Sequence, residues 1–511
     1  MDHDTGVGAV RPASLRRGEV AVHLAALPLC LALGLALCGD DLGWSDSLWL
    51  TQPWPSPVSY VVHWYRGLNG RLAQAITAAL FRVPFSSVSV PESFPFWVFS
   101  GLSFYCAAMA PALVGTSVAR ATRSTAGGGA VAALLLAVWS TNPVLFENAT
   151  YHHFAIFIDY MLPTYLTALW FRHALELARN GGSRRGLVVH GLGYLFLSSY
   201  VEVVLLTLPL LALLAWAVGR GMPWMVGRWA RLLSTYGALS AAAALVYWMS
   251  PGQQKRAVLG GMTLPTPSDL PLDRVQDLVP VQLFGLSSGQ GAAAYAVALL
   301  GLVGATEWVL RSRDGPLGDA ASAPSTRSGL VAAAGVIFVA HGVALLPALT
   351  VVVAGRVAIY PGLLALTSLA LLLLAVAQGV APRRARVLLA ATAALAIAVA
   401  GLQLERCAAL HEERKTLFAL RRAIYDYVLG LHRYSGASAF VLTDCNLAPG
   451  GEPIEPPWGL QAYFTWGRRP RLQVFIDTND DFPGRPAGLD YTLVSCRPFL
   501  PSRRADRPVP E

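Results

Sequence analysis

The sequence predicts an all-α polytopic membrane protein of about eleven transmembrane helices, with a small C-terminal α/β domain on the exported side. Hydrophobic residues make up 54% of the 511 residues, charged residues make up 14%, and the mean hydropathy is +0.49. These values are typical of a chain whose solvent is lipid, and they exclude a soluble protein. The formal net charge of +9 comes from arginines in short loops between apolar runs, so it does not indicate a nucleic-acid partner.

Each predicted span is an apolar run close to the roughly 20 residues that cross a bilayer core. The runs cover residues 20–38, 95–118, 127–146, 154–175, 187–200, 202–218, 230–249, 291–310, 329–351, 357–378 and 386–402. Residues 187–218 form one long apolar stretch, but arginines flank both of its ends, so both ends should face the cytoplasm. We therefore predict two short helices that meet near Glu202.

The distribution of positive charge sets the orientation of the spans. With the N-terminus inside, the cytoplasmic loops hold 18 of the 39 Lys and Arg residues, and the opposite loops before the tail hold seven. This asymmetry predicts a cytoplasmic N-terminus and an exported C-terminus. The first span has the basic flank and apolar core of a signal peptide, but we expect an uncleaved anchor because ten further spans follow.

Two long loops of the membrane module, residues 1–402, are expected on the exported side. Residues 39–94 form the first loop, with a helix predicted around residues 58–82. Residues 250–290 form the second loop, which is rich in proline. On the opposite side, the Ser-, Ala-, Gly- and Pro-rich segment 311–328 indicates a flexible linker.

The third exported segment is the tail, residues 403–511, which we predict to be a small α/β domain. It begins with a helical pattern over residues 403–434. Strands are predicted at Ala439–Thr443, Leu472–Ile476 and Tyr491–Val494, with a helix at Leu460–Trp466.

The cysteines favour a disulfide in the tail. Cys445 and Cys496 both follow predicted strands in an exported, oxidising compartment, which makes them a candidate pair. The pairing stays open because Cys407 also lies outside the predicted spans. No Cys or Cys/His spacing supports a zinc site.

The polar residues beside the spans lie on the predicted exported side. A charge near lipid costs free energy, so these residues are candidates for a functional role. The candidates are Asp40, Asp41, Asn69, Arg71, Glu147, His152, His153, Asp159, Glu202, Arg356 and Tyr360. Of these, Asp40 and Asp41 directly follow the first span. Such an acid pair can perform acid/base chemistry, because a close like charge and desolvation both raise the pKa of a carboxyl group. The alternative is a solvated acidic cap beyond the helix.

The acid pair after the first span, the long first outer loop with Asn69-Gly70-Arg71, the many further spans and the late outer Arg356 together resemble a known superfamily. The chain is similar to the GT-C superfamily of polyprenyl-phosphate-sugar-dependent glycosyltransferases, and most of all to bacterial members of it. Aminoarabinose and protein O-mannosyl transferases are more distant relatives. The resemblance covers roughly residues 15–402 and implies a GT-C-like fold for the membrane module.

The resemblance also implies roles for the matching residues. Asp40 would be the general base and Asp41 would support it or contact the acceptor, so that an acceptor hydroxyl attacks the anomeric carbon with inversion. Arg356 would bind the donor phosphate, because a guanidinium matches phosphate oxygens with a planar fork. The alternative for Arg356 is snorkelling to the interface.

For each of the other candidates, a structural role is as well supported by the sequence as a role in binding. Asn69 and Arg71 either contact the donor phosphate or shape the first loop. Glu202 either contacts the acceptor or pairs with a nearby cation. The remaining candidates for acceptor or sugar binding are Glu147, His152, His153, Asp159 and Tyr360, and adjacent loop histidines are often merely interfacial.

The sequence therefore predicts a glycosyltransferase that moves a sugar from a polyprenyl-phosphate donor to a glycan, lipid or protein acceptor at the outer face of a bacterial inner membrane. No Asp-x-Asp motif is clear, so a divalent cation is allowed as a cofactor but is not supported. The alternative is a transporter or flippase for a lipid-linked saccharide, which would carry charges near the bilayer midplane. A polymerase or ligase would need outer loops richer in arginine and histidine.

Overall fold

The computed structural model describes residues 12–39, 55–67, 70–85, 94–122, 135, 138–151, 153–180, 183–220, 226–252, 254, 326–350, 359–379, 382–443, 473–476, 492–496 and 498. Within these ranges the chain is mostly helical. The helices are α1 (Pro12–Cys38), α2 (Pro57–Gly67), α3 (Leu72–Arg82), α4 (Phe96–Thr122), α5 (Pro143–Tyr151), α6 (His153–Ile156), α7 (Leu162–Asn180), α8 (Arg184–Ser198), α9 (Glu202–Arg220), α10 (Val226–Trp248), α11 (Thr326–Thr350), α12 (Ile359–Gly379) and α13 (Pro382–Ser435). A π-helical turn, Phe157–Met161, joins α6 to α7.

Five stretches of the described chain are long and apolar enough to cross a membrane, and they lie at predicted spans. They are Val20–Cys38, Phe96–Ser117, His153–Ala178, Ile359–Ala377 and Arg383–Glu412. Shorter apolar helices occupy Leu72–Phe85, Glu202–Ala217 and Leu330–Leu345. These helices indicate a membrane protein. The total of eleven spans stays a prediction, because residues 291–310 and most of 127–146 lie outside the described ranges.

The long apolar run divides where the sequence predicted. α8 ends at Ser198 and α9 begins at Glu202, with a turn at Ser199 and Tyr200 between them. At the start of α8 the Ser183 hydroxyl accepts a hydrogen bond from the Gly186 N–H at 3.1 Å, which satisfies one of the donors that a helix N-terminus leaves open. The two helices contact each other.

The centre of the bundle is formed by α9, which packs against α7, α10 and α11, and by the contact of α11 with α12. These helices bury small and branched side chains such as Val204, Leu208 and Ala212. On the outside, α1 exposes Leu24 and Leu29 by 69% and 70%. Apolar side chains left outward in this way suit a lipid solvent, in which no hydrophobic cost attaches to their exposure.

The first outer loop differs from its prediction. The sequence predicted one helix around residues 58–82, whereas the structure has two, α2 and α3, that end and begin on either side of residues 68–71. A side chain at Gly70 would place its Cβ only 2.3 Å from the carbonyl oxygen of Tyr247. The chain therefore turns at a glycine because the end of α10 lies directly against it.

A loop between two spans was predicted at residues 147–153, but the described residues 147–151 and 153 are helical. α5 continues through Tyr151 and α6 begins at His153. The break between them is marked by His153, whose φ of +31° is unusual for a residue with a side chain. His153 is fully buried rather than interfacial, because it packs against α4 in the interior of the bundle.

The last predicted span and the predicted tail helix form one continuous helix. α13 has 54 residues and runs from Pro382 through the expected domain boundary at residue 402 to Ser435. At 1.5 Å per residue it is about 80 Å long, which is far more than a bilayer core requires. No glycine or proline ends the helix near residue 402. The tail therefore follows the span without a hinge at that point.

The three predicted tail strands are confirmed to within one residue. They are β1 (Ala439–Thr443), β2 (Gln473–Ile476) and β3 (Thr492–Ser495), and they form a parallel sheet in the order β2-β1-β3. The sheet core contains Phe440, Val474 and Val494, which belong to one hydrophobic cluster with Tyr425 and Val428 near the end of α13. The predicted helix at 460–466 lies outside the described residues.

Cys496 is disulfide-bonded and buried, while Cys30, Cys38, Cys106 and Cys407 are not in disulfides. Cys445, the predicted partner of Cys496, lies outside the described residues, so the pairing itself stays a prediction. Cys407, which the sequence left as a competing partner, donates a weak hydrogen bond to the Thr141 carbonyl oxygen at 3.5 Å.

A close contact joins α1 to α4 through two glycines. A Cβ at Gly34 would lie 2.5 Å from the Trp97 carbonyl oxygen, and a Cβ at Gly101 would lie 2.8 Å from the Leu31 Cα. Both distances are to backbone atoms, which cannot move aside like a flexible side chain. Small residues allow helix backbones in membranes to approach in this way. The contact holds the end of α1 beside Ser100 and the start of α4.

We predict that Gly101→Ala lowers the free energy of unfolding by about 1–3 kcal/mol, because the added methyl group forces α1 away from α4. The measurement is thermal or detergent-induced unfolding of the purified full chain in micelles. Gly335→Ala in α11 is the matched control, because a Cβ there meets no atom within 4 Å. Equal stability of the two variants would show that the α1–α4 contact is not close.

Candidate functional site

Five of the sequence-predicted site residues, Asp40, Asp41, Asn69, His152 and Arg356, lie outside the described residues. The described candidates do not all come together. Arg71, Glu202 and Asp159 come together in one cluster, and Glu147 and His153 make separate contacts nearby in the chain. Tyr360 is buried in a helix contact.

The main polar cluster consists of Arg71, Gln74, Asp159, Glu202 and Tyr247, and we call it the Glu202 cluster. It lies where α3 and α9 begin and α10 ends, which we call the Glu202 end of the bundle. Residues from four separate parts of the chain thus meet at one end of apolar helices. Gln74 and Tyr247 were not predicted from the sequence, although Gln74 stands out as a polar residue within the apolar stretch Leu72–Phe85.

An ion pair between Arg71 and Glu202 forms the centre of the cluster. The Arg71 guanidinium lies 2.8 Å from Glu202 Oε2, and its Nε and NH2 groups donate to Oε1 at 3.3 and 3.2 Å. Both carboxylate oxygens are therefore engaged by one planar donor, which is the strong geometry for this pair. The side chains of Arg71 and Glu202 are only 13% and 26% exposed.

Two further features stabilise the Glu202 carboxylate. Tyr247 donates a short hydrogen bond from its hydroxyl to Oε1. Glu202 is also the first residue of α9, where the open N–H groups of the helix N-terminus favour a negative charge. The carboxylate thus joins α3, α9 and α10 through a single residue.

The pKa of Arg71 follows from the same contacts. Burial is the largest single effect and lowers the pKa of the guanidinium, but Glu202, together with Tyr160, Asp159 and Tyr247, outweighs it, so the pKa of Arg71 is raised above its ordinary value. Arg71 is therefore a permanent cation at every accessible pH. Of the two roles predicted for Glu202, pairing with a nearby cation is the one that the contacts show, and a phosphate-binding role for Arg71 stays a prediction.

Backbone contacts hold the segment around Arg71 in place. The Tyr65 hydroxyl donates to the Val246 carbonyl oxygen at 2.8 Å, and the Ser250 hydroxyl donates to the Tyr65 carbonyl oxygen at 2.6 Å. The Ala73 N–H donates to the Ser199 carbonyl oxygen at 3.3 Å. Together with the close approach of Gly70 to Tyr247, these bonds fix the position from which the Arg71 side chain starts.

Gln74 and Asp159 form the second contact of the cluster. The Gln74 amide donates a short hydrogen bond from Nε2 to Asp159 Oδ1. Asp159 lies in the π-helical turn Phe157–Met161, within an apolar stretch rather than beside it as the sequence predicted. π-helical turns insert an extra residue into a helix and are frequent at functional sites.

His153 makes its own buried contact with α4. The Ser100 hydroxyl donates to the Ala149 carbonyl oxygen at 2.8 Å and lies 2.6 Å from His153 Nδ1. Because the single Ser100 hydrogen is directed to the carbonyl, His153 Nδ1 is the donor of the second bond. This pair stabilises the break between α5 and α6, where the positive φ of His153 costs about 1–3 kcal/mol.

Glu147 serves as the docking point of the long helix α13. The Arg414 guanidinium donates to the Glu147 carbonyl oxygen at 2.9 Å, to Glu147 Oε1 at 3.0 Å and to the Thr150 hydroxyl at 3.2 Å. Eleven residues earlier in α13, the Gln403 Oε1 accepts a hydrogen bond from the Thr141 hydroxyl at 2.7 Å. Arg414 is itself only 8% exposed, whereas the Glu147 side chain is 48% exposed, so the guanidinium is buried and the carboxylate still faces outward.

Tyr360 lies between α9 and α12 rather than in an open site. Its hydroxyl accepts a hydrogen bond from Thr207 at 3.1 Å, and the residue is 4% exposed. Thr207 lies five residues after Glu202 on α9, so the start of α12 is at the Glu202 end of the bundle. Within the described ranges no group of three or more His, Cys, Asp or Glu residues is arranged to hold a metal ion.

Comparisons of the chain with protein-family models, with curated proteins and with solved structures found no match.

We predict that Arg71 and Glu202 are strongly coupled in stability. Each of Arg71→Met and Glu202→Gln should lower the free energy of unfolding, whereas the double variant should lose less than their sum, with a coupling of about 1–3 kcal/mol. The reason is that each single change leaves a partly buried charge without its counter-charge. The measurement is a double-mutant cycle of unfolding in mixed detergent micelles.

The matched control for this cycle is the surface pair of Lys415 and Glu412, whose side chains are 56% and 69% exposed. We expect no measurable coupling there because solvent screens both charges. Additive effects of Arg71→Met and Glu202→Gln would contradict an energetic role for the ion pair.

We predict that Arg414→Lys loosens the docking of α13 on α5. A lysine ammonium cannot reach the Glu147 carbonyl, the Glu147 carboxylate and the Thr150 hydroxyl with the fork geometry of a guanidinium. Hydrogen exchange of backbone amides in residues 143–151 and 403–420 should become about tenfold faster, which corresponds to a loss of ~1.4 kcal/mol. Lys415→Met is the control, and equal exchange in both variants would refute the docking role.

Proposed function

We propose that the protein is a glycosyltransferase that moves a sugar from a polyprenyl-phosphate donor to an acceptor at the outer face of the membrane. The observation that carries this proposal is the convergence of polar groups at the Glu202 end of an otherwise apolar bundle. Arg71, Glu202 and Asp159 meet there. The end of α1 and the start of α12, which are the described helix ends next in the chain to the predicted catalytic residues, lie at the same end of the bundle.

The first of these helix ends is that of α1. Gly34 contacts Gly101 on α4, and the adjacent Ser100 contacts His153, which begins the segment that carries Asp159. α1 ends four residues later at Cys38. Asp40 and Asp41 follow directly in the chain, and two residues span at most about 7 Å. This connection supports a catalytic acid pair at the Glu202 end.

The second helix end is that of α12. Tyr360, its second residue, contacts Thr207 one and a half turns from Glu202. Arg356 precedes the first residue of α12 by three positions in the chain. This connection supports a donor-phosphate role for Arg356, because Arg71 is already occupied by Glu202.

In the proposed reaction an acceptor hydroxyl attacks the anomeric carbon of the donor sugar. Asp40, supported by Asp41, takes the hydroxyl proton as the new C–O bond forms. The bond from the anomeric carbon to the lipid phosphate oxygen breaks, and the lipid phosphate leaves with the bonding electron pair. The Arg356 guanidinium stabilises the charge that develops on it. The Glu202 cluster fixes α3, α9 and α10 around the reacting groups.

The test is sugar transfer from labelled polyprenyl-phosphate sugars by membranes that contain the full chain. We expect Asp40→Asn and Arg356→Ala to reduce transfer by at least about 100-fold at matched expression, because a general base and a phosphate clamp each contribute on that order. Arg313→Ala, in the predicted cytoplasmic linker, is the arginine control. Wild-type membranes that transfer no sugar, or variants that transfer at the wild-type rate, would overturn the proposal.

A second candidate is a flippase for a lipid-linked saccharide, and one observation favours it. Asp159 lies within an apolar helical stretch that is broken at His153 and at the π-helical turn, and carboxylates on broken helices mark transport pathways in membrane proteins. Movement of a labelled polyprenyl-phosphate sugar across proteoliposomes, without its consumption and with no dependence on Asp40, would favour the flippase.

A further inference from the structure

Gln74 is a buried polar residue that the central ion pair does not use. It lies in the first turn of α3, three positions after Arg71, the residue that directly precedes the helix. Arg71 contacts Glu202, whereas Gln74 contacts Asp159. Gln74 is only 3% exposed. α3 therefore carries two polar groups into the Glu202 cluster, and each has its own acidic partner.

The partner of Gln74 sets the orientation of its amide. An ionised carboxylate can only accept hydrogen bonds, so the amide turns its NH2 group toward Asp159. The Oε1 atom then points away from Asp159, and among the described residues it is buried without a donor. A buried carbonyl oxygen that accepts no hydrogen bond costs free energy of folding. This atom therefore requires a ligand or a bound water as its donor.

Asp159 is held in an unusual backbone setting. It lies in the π-helical turn Phe157–Met161, which follows the break at His153 with its φ of +31°. Strained residues and π-helical turns persist where the surrounding structure and function require them. Asp159 remains partly exposed, while its neighbours Ile158 and Tyr160 are buried. The backbone thus places one carboxylate beside Gln74 and within electrostatic reach of Arg71.

The Gln74–Asp159 contact favours a ligand with hydrogen-bond donors. The Gln74 Oε1 and the Asp159 carboxylate both accept hydrogen bonds, so a ligand at this contact must supply the hydrogens. The anionic phosphate of the lipid offers only acceptor oxygens. A sugar hydroxyl, in contrast, can donate both to a carboxylate and to an amide carbonyl.

We infer that Gln74 and Asp159 bind hydroxyl groups of the donor sugar, one hydroxyl donating to Gln74 Oε1 and one to the Asp159 carboxylate. This inference rests on the proposed glycosyltransferase function and names the part of the substrate that the Glu202 cluster recognises. The cluster binds the sugar, and the lipid phosphate is bound elsewhere. Gln74 and Asp159 are thus specificity-determining residues.

The test measures binding to the full chain in nanodiscs and compares polyprenyl phosphate with a panel of polyprenyl-phosphate glucose, mannose, galactose and arabinose. Wild type should bind at least one sugar-bearing lipid more tightly than polyprenyl phosphate. Gln74→Met keeps the length of the side chain but removes the carbonyl, so it should weaken binding of that sugar-bearing lipid about tenfold. Its affinity for polyprenyl phosphate should not change. Asp159→Asn should show the same selective loss.

Thr77→Val is the matched control on α3, because Thr77 is also buried and its hydroxyl donates to the Ala73 carbonyl oxygen within the helix. It should leave both affinities unchanged. If Gln74→Met retains the preference for the sugar, or weakens both lipids equally, Gln74 has no recognition role and only this inference fails. If wild type has no preference for any sugar-bearing lipid, the proposed function fails as well.

Discussion

The ion pair between Arg71 and Glu202 is the interaction on which the arrangement of the Glu202 end depends. Glu202 begins α9, the helix that contacts α7, α10 and α11, and its carboxylate also accepts the Tyr247 hydrogen bond from α10. In a bundle whose other contacts are mainly apolar, a bidentate charged pair has a defined geometry that packing alone does not impose. It therefore sets how α3 lies against α9 and α10, and α3 in turn brings Gln74 to Asp159.

A similar charged contact connects the membrane helices to the tail. Arg414 and Gln403 attach α13 to the segment around α5, and α13 continues without a break into the helix that packs on the parallel sheet. The tail is therefore carried by a helix whose first turns beyond the expected domain boundary are held to the α5 region by hydrogen bonds. These hydrogen bonds position the small α/β domain relative to the bundle. A flexible linker at residue 402 would leave that position undefined.

Hydrophobicity and strand patterns were sufficient for much of the fold. The apolar runs predicted the helices at 96–122, 184–198, 202–220 and 359–379, and alternating apolar residues predicted β1, β2 and β3. The predictions that were wrong concern residues whose conformation depends on a distant segment. The segment between α2 and α3 packs at Gly70 against Tyr247, and His153, predicted in a loop, is buried against α4.

The sequence by itself determined that the solvent is lipid, where most helices begin and end, and which few polar residues stand beside the apolar runs, since each depends on local composition and charge. It named Arg71, Glu202 and Asp159 as candidates but not as a cluster. Only the tertiary structure decided that Arg71 pairs with Glu202 across 131 positions and that Gln74 joins Asp159 across 85. Contacts at such separations depend on how the helices pack, and helix packing is set by side-chain shape at many sites at once, which no local pattern records.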